Sequence, residues 1–226
     1  GRMQSVASSR DLTGQPRRSK PWLDNRPRHV FVNDLGDIFS DDVPFTYIDD
    51  EVMACARGEL HPNGATHRYP LLTKRPSRAV EFVDWYLERH ERLPRDVWFG
   101  ASVTNQMTAN ARLAQLLKLR YRVFGIRLWV SCEPLLDETT LKEWVGALDW
   151  VVVGGESRQG AHEPRPFHLA WARKLRDECT GAATEFFMKQ MGARPVGQFT
   201  EVNFGSNHGD EWNLFPPDLK LRDVPA

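Results

Sequence analysis

Short apolar runs rich in β-branched and aromatic residues recur along the chain. Each is followed by polar, glycine or proline residues and then by apolar positions spaced at about 3.6 residues, the alternation that βα units produce. Six such runs are readable: His29 to Val32, Tyr69 to Thr73, Val97 to Val103, Ile126 to Val130, Trp150 to Val153 and Glu185 to Met188. Their apolar continuity, with little polar alternation, suits parallel strands covered on both faces.

The intervening stripes predict helices. Arg78 to His90 aligns Ala79, Val80, Val83, Tyr86 and Leu87 after a Pro76-Ser77 start signal. The next helix has Thr104 or Asn105 as N-cap and Ala109, Leu113, Leu116 and Leu117 on its inner face. Asp137 to Leu148 predicts a short helix on Leu141, Trp144, Val145 and Leu148. Pro166 opens another, with Trp171, Ala172, Leu175 and Cys179 aligned and Gly181 ending it. Tyr47 to Arg57 is a weaker helical stretch before a Gly/Pro/Asn loop at Gly58 to Gly64.

Alternating units with right-handed crossovers form a barrel or an open sheet, and both place ligands at the C-terminal ends of the strands. Polar groups stand there after every run. They are Asn33, Asp34 and Asp37; Lys74 and Arg75; Ser102 and Asn105; Glu133; Glu156 and Ser157 behind Gly154-Gly155; and Lys189 and Gln190. Each has a structural alternative. The three acidic or amide groups after the first run also suit turns and caps, and Ser102 and Asn105 also suit helix capping. Lys74-Arg75 before Pro76 addresses an anion more readily than it decorates a surface. Glu133, set in Trp-Val-Ser-Cys-Glu-Pro-Leu-Leu, is a costly place for a carboxylate without a partner. Paired glycines allow a ligand close to the backbone, and Arg165 answers Glu156 as an ion pair or clamps a ligand carboxylate.

Composition narrows the classes. The 226 residues, 41% hydrophobic and 27% charged, are ordinary for a folded domain, and 30 basic residues balance 30 acidic ones. No apolar run approaches the length of a membrane span and no signal peptide opens the chain, so a soluble, cytoplasmic protein is expected. Three dispersed cysteines, Cys55, Cys132 and Cys179, give neither a disulfide framework nor a zinc knuckle. Gly1-Arg2 before Met3 has the look of a protease-site remnant. Residues 1–28 carry seven Lys/Arg against two Asp and read as a flexible basic arm. Residues 29–192 hold the βα units. Residues 193–226, with Phe199, Phe204, Trp212, Phe215 and Pro216-Pro217, read as a tail packing aromatic anchors on them.

Six segments, taken in order, resemble one family: Phe31-Val-Asn-Asp-Leu-Gly-Asp-Ile-Phe, Leu72-Thr-Lys-Arg-Pro, Val97-Trp-Phe-Gly-Ala-Ser-Val, Ser131-Cys-Glu-Pro-Leu-Leu, Trp150-Val-Val-Val-Gly-Gly-Glu-Ser and Phe186-Phe-Met-Lys-Gln. They look like the phage-encoded three-cysteine-motif proteins, relatives of radical S-adenosylmethionine enzymes. The resemblance implies a partial (βα)6 parallel barrel and, in complete members, a [4Fe–4S] cluster on a cysteine triplet after the first strand. No C-x6-C-x2-C or C-x3-C-x2-C spacing occurs in this sequence, so the first unit is expected to be absent or degenerate and radical chemistry is not expected. The resemblance assigns Asn33, Asp37, Ser102, Asn105 and Glu133 to S-adenosylmethionine, and Asp34, Lys74, Arg75, Glu156, Ser157, Arg165, Lys189 and Gln190 to a nucleotide or nucleic-acid substrate. Two functions stay open: an enzyme of DNA modification or repair, and a non-catalytic binding domain that has lost the cluster. A metal-dependent hydrolase using Asp34, Asp37, Glu133 and Glu156 is disfavoured because none of the seven histidines falls at a strand end.

Overall fold

The computed structural model describes residues 26–32, 36–60, 65–197 and 206–225. Five strands form one sheet in the order β1-β2-β3-β4-β6, where β1 is Tyr69–Thr73, β2 Val97–Ser102, β3 Arg127–Cys132, β4 Trp150–Gly154 and β6 Glu185–Gln190. A second, two-stranded sheet joins β5 (Phe167–His168) to β7 (Pro195–Val196). β4 pairs in parallel with both β3 and β6. The strands and helices make an α/β protein; the strand order runs from β1 to β6 without pairing these two strands, so among the described residues it is not a closed barrel.

The chain divides into two compact units, residues 1–100 with 118–127, and residues 101–117 with 128–226. In the first, the run from His29 to Val32 lies parallel to β1 but does not complete a strand. Val30 N–H donates to the Arg68 carbonyl, Val32 N–H to that of Pro70, and Leu72 N–H to that of Val32. Pro70 has no N–H to return, so only isolated bridges at His29 and Val32 survive. Helical residues follow in three pieces: α1 (Phe45–Tyr47), a π-helical stretch Ile48–Met53, and α2 (Ala54–Ala56). Arg57 fastens this stretch, donating to Asp49 (2.7 Å), to the Tyr86 hydroxyl (2.8 Å) and to Glu59 (2.6 Å). Helix α3 (Pro76–Leu87) begins with the proline at its first turn and buries Ala79, Val80, Phe82, Val83 and Tyr86. Phe39 and Phe82 meet at 5.7 Å in the core of this unit.

In the second unit, α4 (Gln106–Leu116) is capped by Asn105, whose side chain accepts from Thr108 N–H while the Thr108 hydroxyl accepts from Asn105 N–H. The expected helix from Asp137 to Leu148 does not form; only Val145–Ala147 winds into a 3-10 turn. Side chains from neighbouring helices claim the backbone there instead. Gln106 accepts from Thr140 N–H (2.8 Å), and Glu178 accepts from both the Thr140 hydroxyl and Leu141 N–H (2.6 Å each). Helix α5 (Leu169–Ala182) starts three residues beyond Pro166, because Phe167 and His168 pair with Pro195 and Val196. It ends at Ala183, which takes the left-handed conformation at φ 54° one residue beyond the helix, and not at Gly181.

The segment near the C-terminus runs antiparallel along β6. Met188 N–H donates to the Leu221 carbonyl and Asp223 N–H to that of Phe186, so β6 does not end the sheet as a bare edge. Phe215 and Leu219 are buried beside it, and the Arg222 guanidinium lies 4.4 Å over the Trp212 ring. No helix among the described residues is long and apolar enough to cross a membrane.

Candidate ligand site at the strand ends

In the first unit, Asp37 closes the exit of β1. Its carboxylate accepts from the Thr73 hydroxyl (2.7 Å), from Lys74 N–H (2.7 Å) and from Phe39 N–H (3.0 Å). These bonds pin two loops together and leave little acceptor capacity for a ligand. Arg75 lies 3.9 Å from Asp41, and Lys74 is exposed. Asn33 and Asp34 lie outside the described residues.

The second unit gathers the larger set. Glu133 directly follows β3, and the segment after it is fixed by Leu135 N–H donating to the Gly154 carbonyl and Leu136 N–H to that of Thr104. Its side chain is 17% exposed and accepts a 2.7 Å bond from the Lys189 ammonium, itself 53% exposed. Lys189 reaches it through an irregularity in β6. Val153 pairs with Met188 but Gly154 pairs with Gln190, so Lys189 is the extra residue of a β-bulge, the device that re-aims one side chain out of a regular ladder. Gly154 contributes by lacking a side chain, since a Cβ there would sit 3.2 Å from both the Glu133 and Gln190 side chains.

Gln190 is buried and donates to the Gly155 carbonyl (2.9 Å) and to the Ser157 hydroxyl (2.8 Å). His208 Nδ1 lies 2.9 Å from the same hydroxyl. The loop that carries His208 is held by Met191 N–H donating to the Gly209 carbonyl and Gly192 N–H to that of His208. The space beside Gly155 is therefore filled by the chain itself. A Cβ on Gly155 would lie 2.4 Å from the Met191 carbonyl oxygen, so this glycine serves backbone packing, where the sequence suggested ligand approach.

Glu156 and Arg165 settle on each other. Arg165 donates from its backbone N–H (2.8 Å), from Nε (2.9 Å) and from Nη2 to the Glu156 carboxylate. Those donors hold the Glu156 carboxyl down at about 2. Ser102 is buried, with its carbonyl accepting from Arg112, and Asn105 is occupied as a cap. Of the eight candidate residues in this unit, then, Glu133, Ser157, Lys189 and Gln190 surround Gly154 and Gly155, Glu156 and Arg165 form a closed pair, and Ser102 and Asn105 serve the start of α4.

The thiols do not suit a cluster. Cys132 is fully enclosed in β3, Cys179 lies on the inner face of α5, and Cys55 bonds the Tyr69 hydroxyl at 3.2 Å. Burial pushes all three thiols up, Cys179 to about 12, away from the thiolate a metal requires. Among the described residues no group of three or more His, Cys, Asp or Glu side chains is arranged to hold a metal ion. His208 had no signal in the sequence, since its 51-residue separation from Ser157 is closed only by the fold.

The fold and this cluster define an α/β protein with polar and charged side chains gathered at the C-terminal ends of parallel strands. The chain belongs to the family described as proteins of unknown function DUF5131, whose model matches residues 2–216. No curated protein and no solved structure matches it.

Proposed function

We propose that this chain binds S-adenosylmethionine, or a nucleoside with the same amino acid head, on an α/β scaffold of radical S-adenosylmethionine descent that acts on a nucleotide or nucleic acid. The observation that carries the reading is the bulge at Lys189, which brings an ammonium onto the Glu133 carboxylate at the strand ends. A zwitterionic α-amino acid head matches that pair group for group, its carboxylate taking Lys189 and its ammonium taking Glu133. Both ligand bonds are charge-assisted, and the half-exposed lysine can swing aside at little cost. The ordered motifs from Phe31 to Gln190 support descent from a partial barrel of that type.

The enclosed, protonated thiols favour binding without cluster chemistry, so no step is assigned to iron and sulfur. Lys74 and Arg75 remain the residues suited to a substrate phosphate. Calorimetric titration with S-adenosylmethionine tests the reading. Saturable binding, weakened roughly tenfold in Lys189→Met and in Glu133→Gln, is the expected result for loss of one charged bond. Absence of binding, or wild-type affinity in both variants, overturns it.

A further inference from the structure

The turn after the helix at Leu117–Tyr121 has a composition unlike the rest of the chain. Residues 97–132 contain five Lys/Arg (Arg112, Lys118, Arg120, Arg122 and Arg127) and no Asp or Glu, in a chain whose net charge is zero. Four of these cations fall within residues 118–127. Between them stand Tyr121, 88% exposed, and Phe124, 105% exposed. Neither ring packs against another aromatic ring among the described residues. Two bare rings this close are unusual on a surface that serves only solvation.

The turn holds its rings outward by design of its anchors. Leu119 and Ile126 are buried on either side of the tip. Arg122 and Val123 N–H both donate to the Leu119 carbonyl, and Arg120 Nη1 donates to that of Ile126 at 2.6 Å, tying the start of the turn to its end. Gly125 supplies the positive φ of 74° that reverses the chain. Arg122 also reaches Asp84 on α3 at 3.3 Å, in a contact that stays solvent-exposed.

We infer that the turn from Lys118 to Arg127 is a docking element for single-stranded nucleic acid, with Tyr121 and Phe124 as stacking platforms and the exposed side chains of Lys118 and Arg122 facing the phosphates. Exposed aromatic faces interleaved with cations match a polymer that alternates π-faces with anions. An anionic membrane is the weaker match, because the tip offers two rings and no amphipathic helical face to lie in a bilayer surface. The inference goes beyond the nucleoside pocket and does not depend on it.

Fluorescence anisotropy of the full chain with a labelled oligothymidylate of about 15 nucleotides tests it. Binding that weakens steeply with added salt is expected, as is a loss of at least about tenfold in Tyr121→Ser/Phe124→Ser, the equivalent of one unstacked base. Both substituted positions are exposed, and an unchanged thermal melt of the double variant confirms that folding is intact. Tyr121→Ser/Phe124→Ser should bind S-adenosylmethionine as the wild type does, so failure of the pocket and failure of the turn are read separately. No oligonucleotide binding by the wild type, equal binding by the double variant, or ring-dependent binding to phosphatidylserine vesicles in place of the oligonucleotide overturns the inference.

Discussion

Asp37 and Glu133 occupy similar positions in the two units, each a carboxylate at the exit of a parallel strand, yet they are held in opposite ways. Asp37 accepts from two backbone N–H groups and a hydroxyl, none of which can leave without moving the strand exit. Glu133 is held by a single side chain that is half in solvent. A strand-end carboxylate becomes available to a ligand only when its partner can be exchanged, and by that criterion Glu133 is the candidate and Asp37 a clamp. Glu156 falls with Asp37, since Arg165 grips it through backbone and side chain together.

The largest expected effect breaks the comparison at Asp37. Asp37→Ala strands the Lys74 and Phe39 N–H groups and the Thr73 hydroxyl, and should cost about 2–3 kcal/mol, the scale for bonds to a charged acceptor. Urea denaturation measures it. Unchanged stability together with lost ligand affinity would reverse the assignment of clamp and site.

Next comes the acid limb of Glu156. Its folded value of about 2 lies below the ordinary 4.5, so the pair contributes stability above pH 4.5 and loses it as pH falls towards 2. Glu156→Gln should flatten that part of a melting-temperature profile. The slope is shallower than the bond count suggests, because Arg165 is half exposed and solvent screens it. A profile identical to the wild type would mean that Arg165 is free to clamp a ligand.

The smallest stability effect is expected where the ligand affinity effect is greatest. Lys189→Met removes an exposed pair and should shift stability by less than about 1 kcal/mol. A larger loss in thermal denaturation would make the Lys189–Glu133 pair structural and align it with Asp37.

Much of the architecture was legible because burial on both faces leaves continuous apolar runs. Tyr69–Thr73 and Trp150–Gly154 are found where the apolar pattern places them, and the Asn105 cap is readable from the residues around it. The failures have local causes. His29 to Val32 reads as a strand, but its partner strand contributes Pro70 in place of a donor. Asp137 to Leu148 has a helical stripe, but Glu178 and Gln106, distant in sequence, capture its backbone donors. The basic, acid-free stretch around Tyr121 was visible in composition, yet only the exposure of the two rings distinguishes it from a solvated helix end.

The sequence by itself determined most of the strands, the helices at Pro76–Leu87 and Gln106–Leu116, and that charged groups would follow the strands, because hydrophobic periodicity and capping act over a few residues. Which of those groups neutralise one another was decided by tertiary structure. Arg165 could reach Glu156 or a ligand until the loop between them closed, and Lys189 turns to Glu133 only because β6 bulges where it pairs with Gly154. His208 joins Ser157 only because glycines at 155, 192 and 209 let three backbone segments pack without Cβ atoms. Such pairings depend on register and close approach between distant segments, quantities that no local pattern encodes.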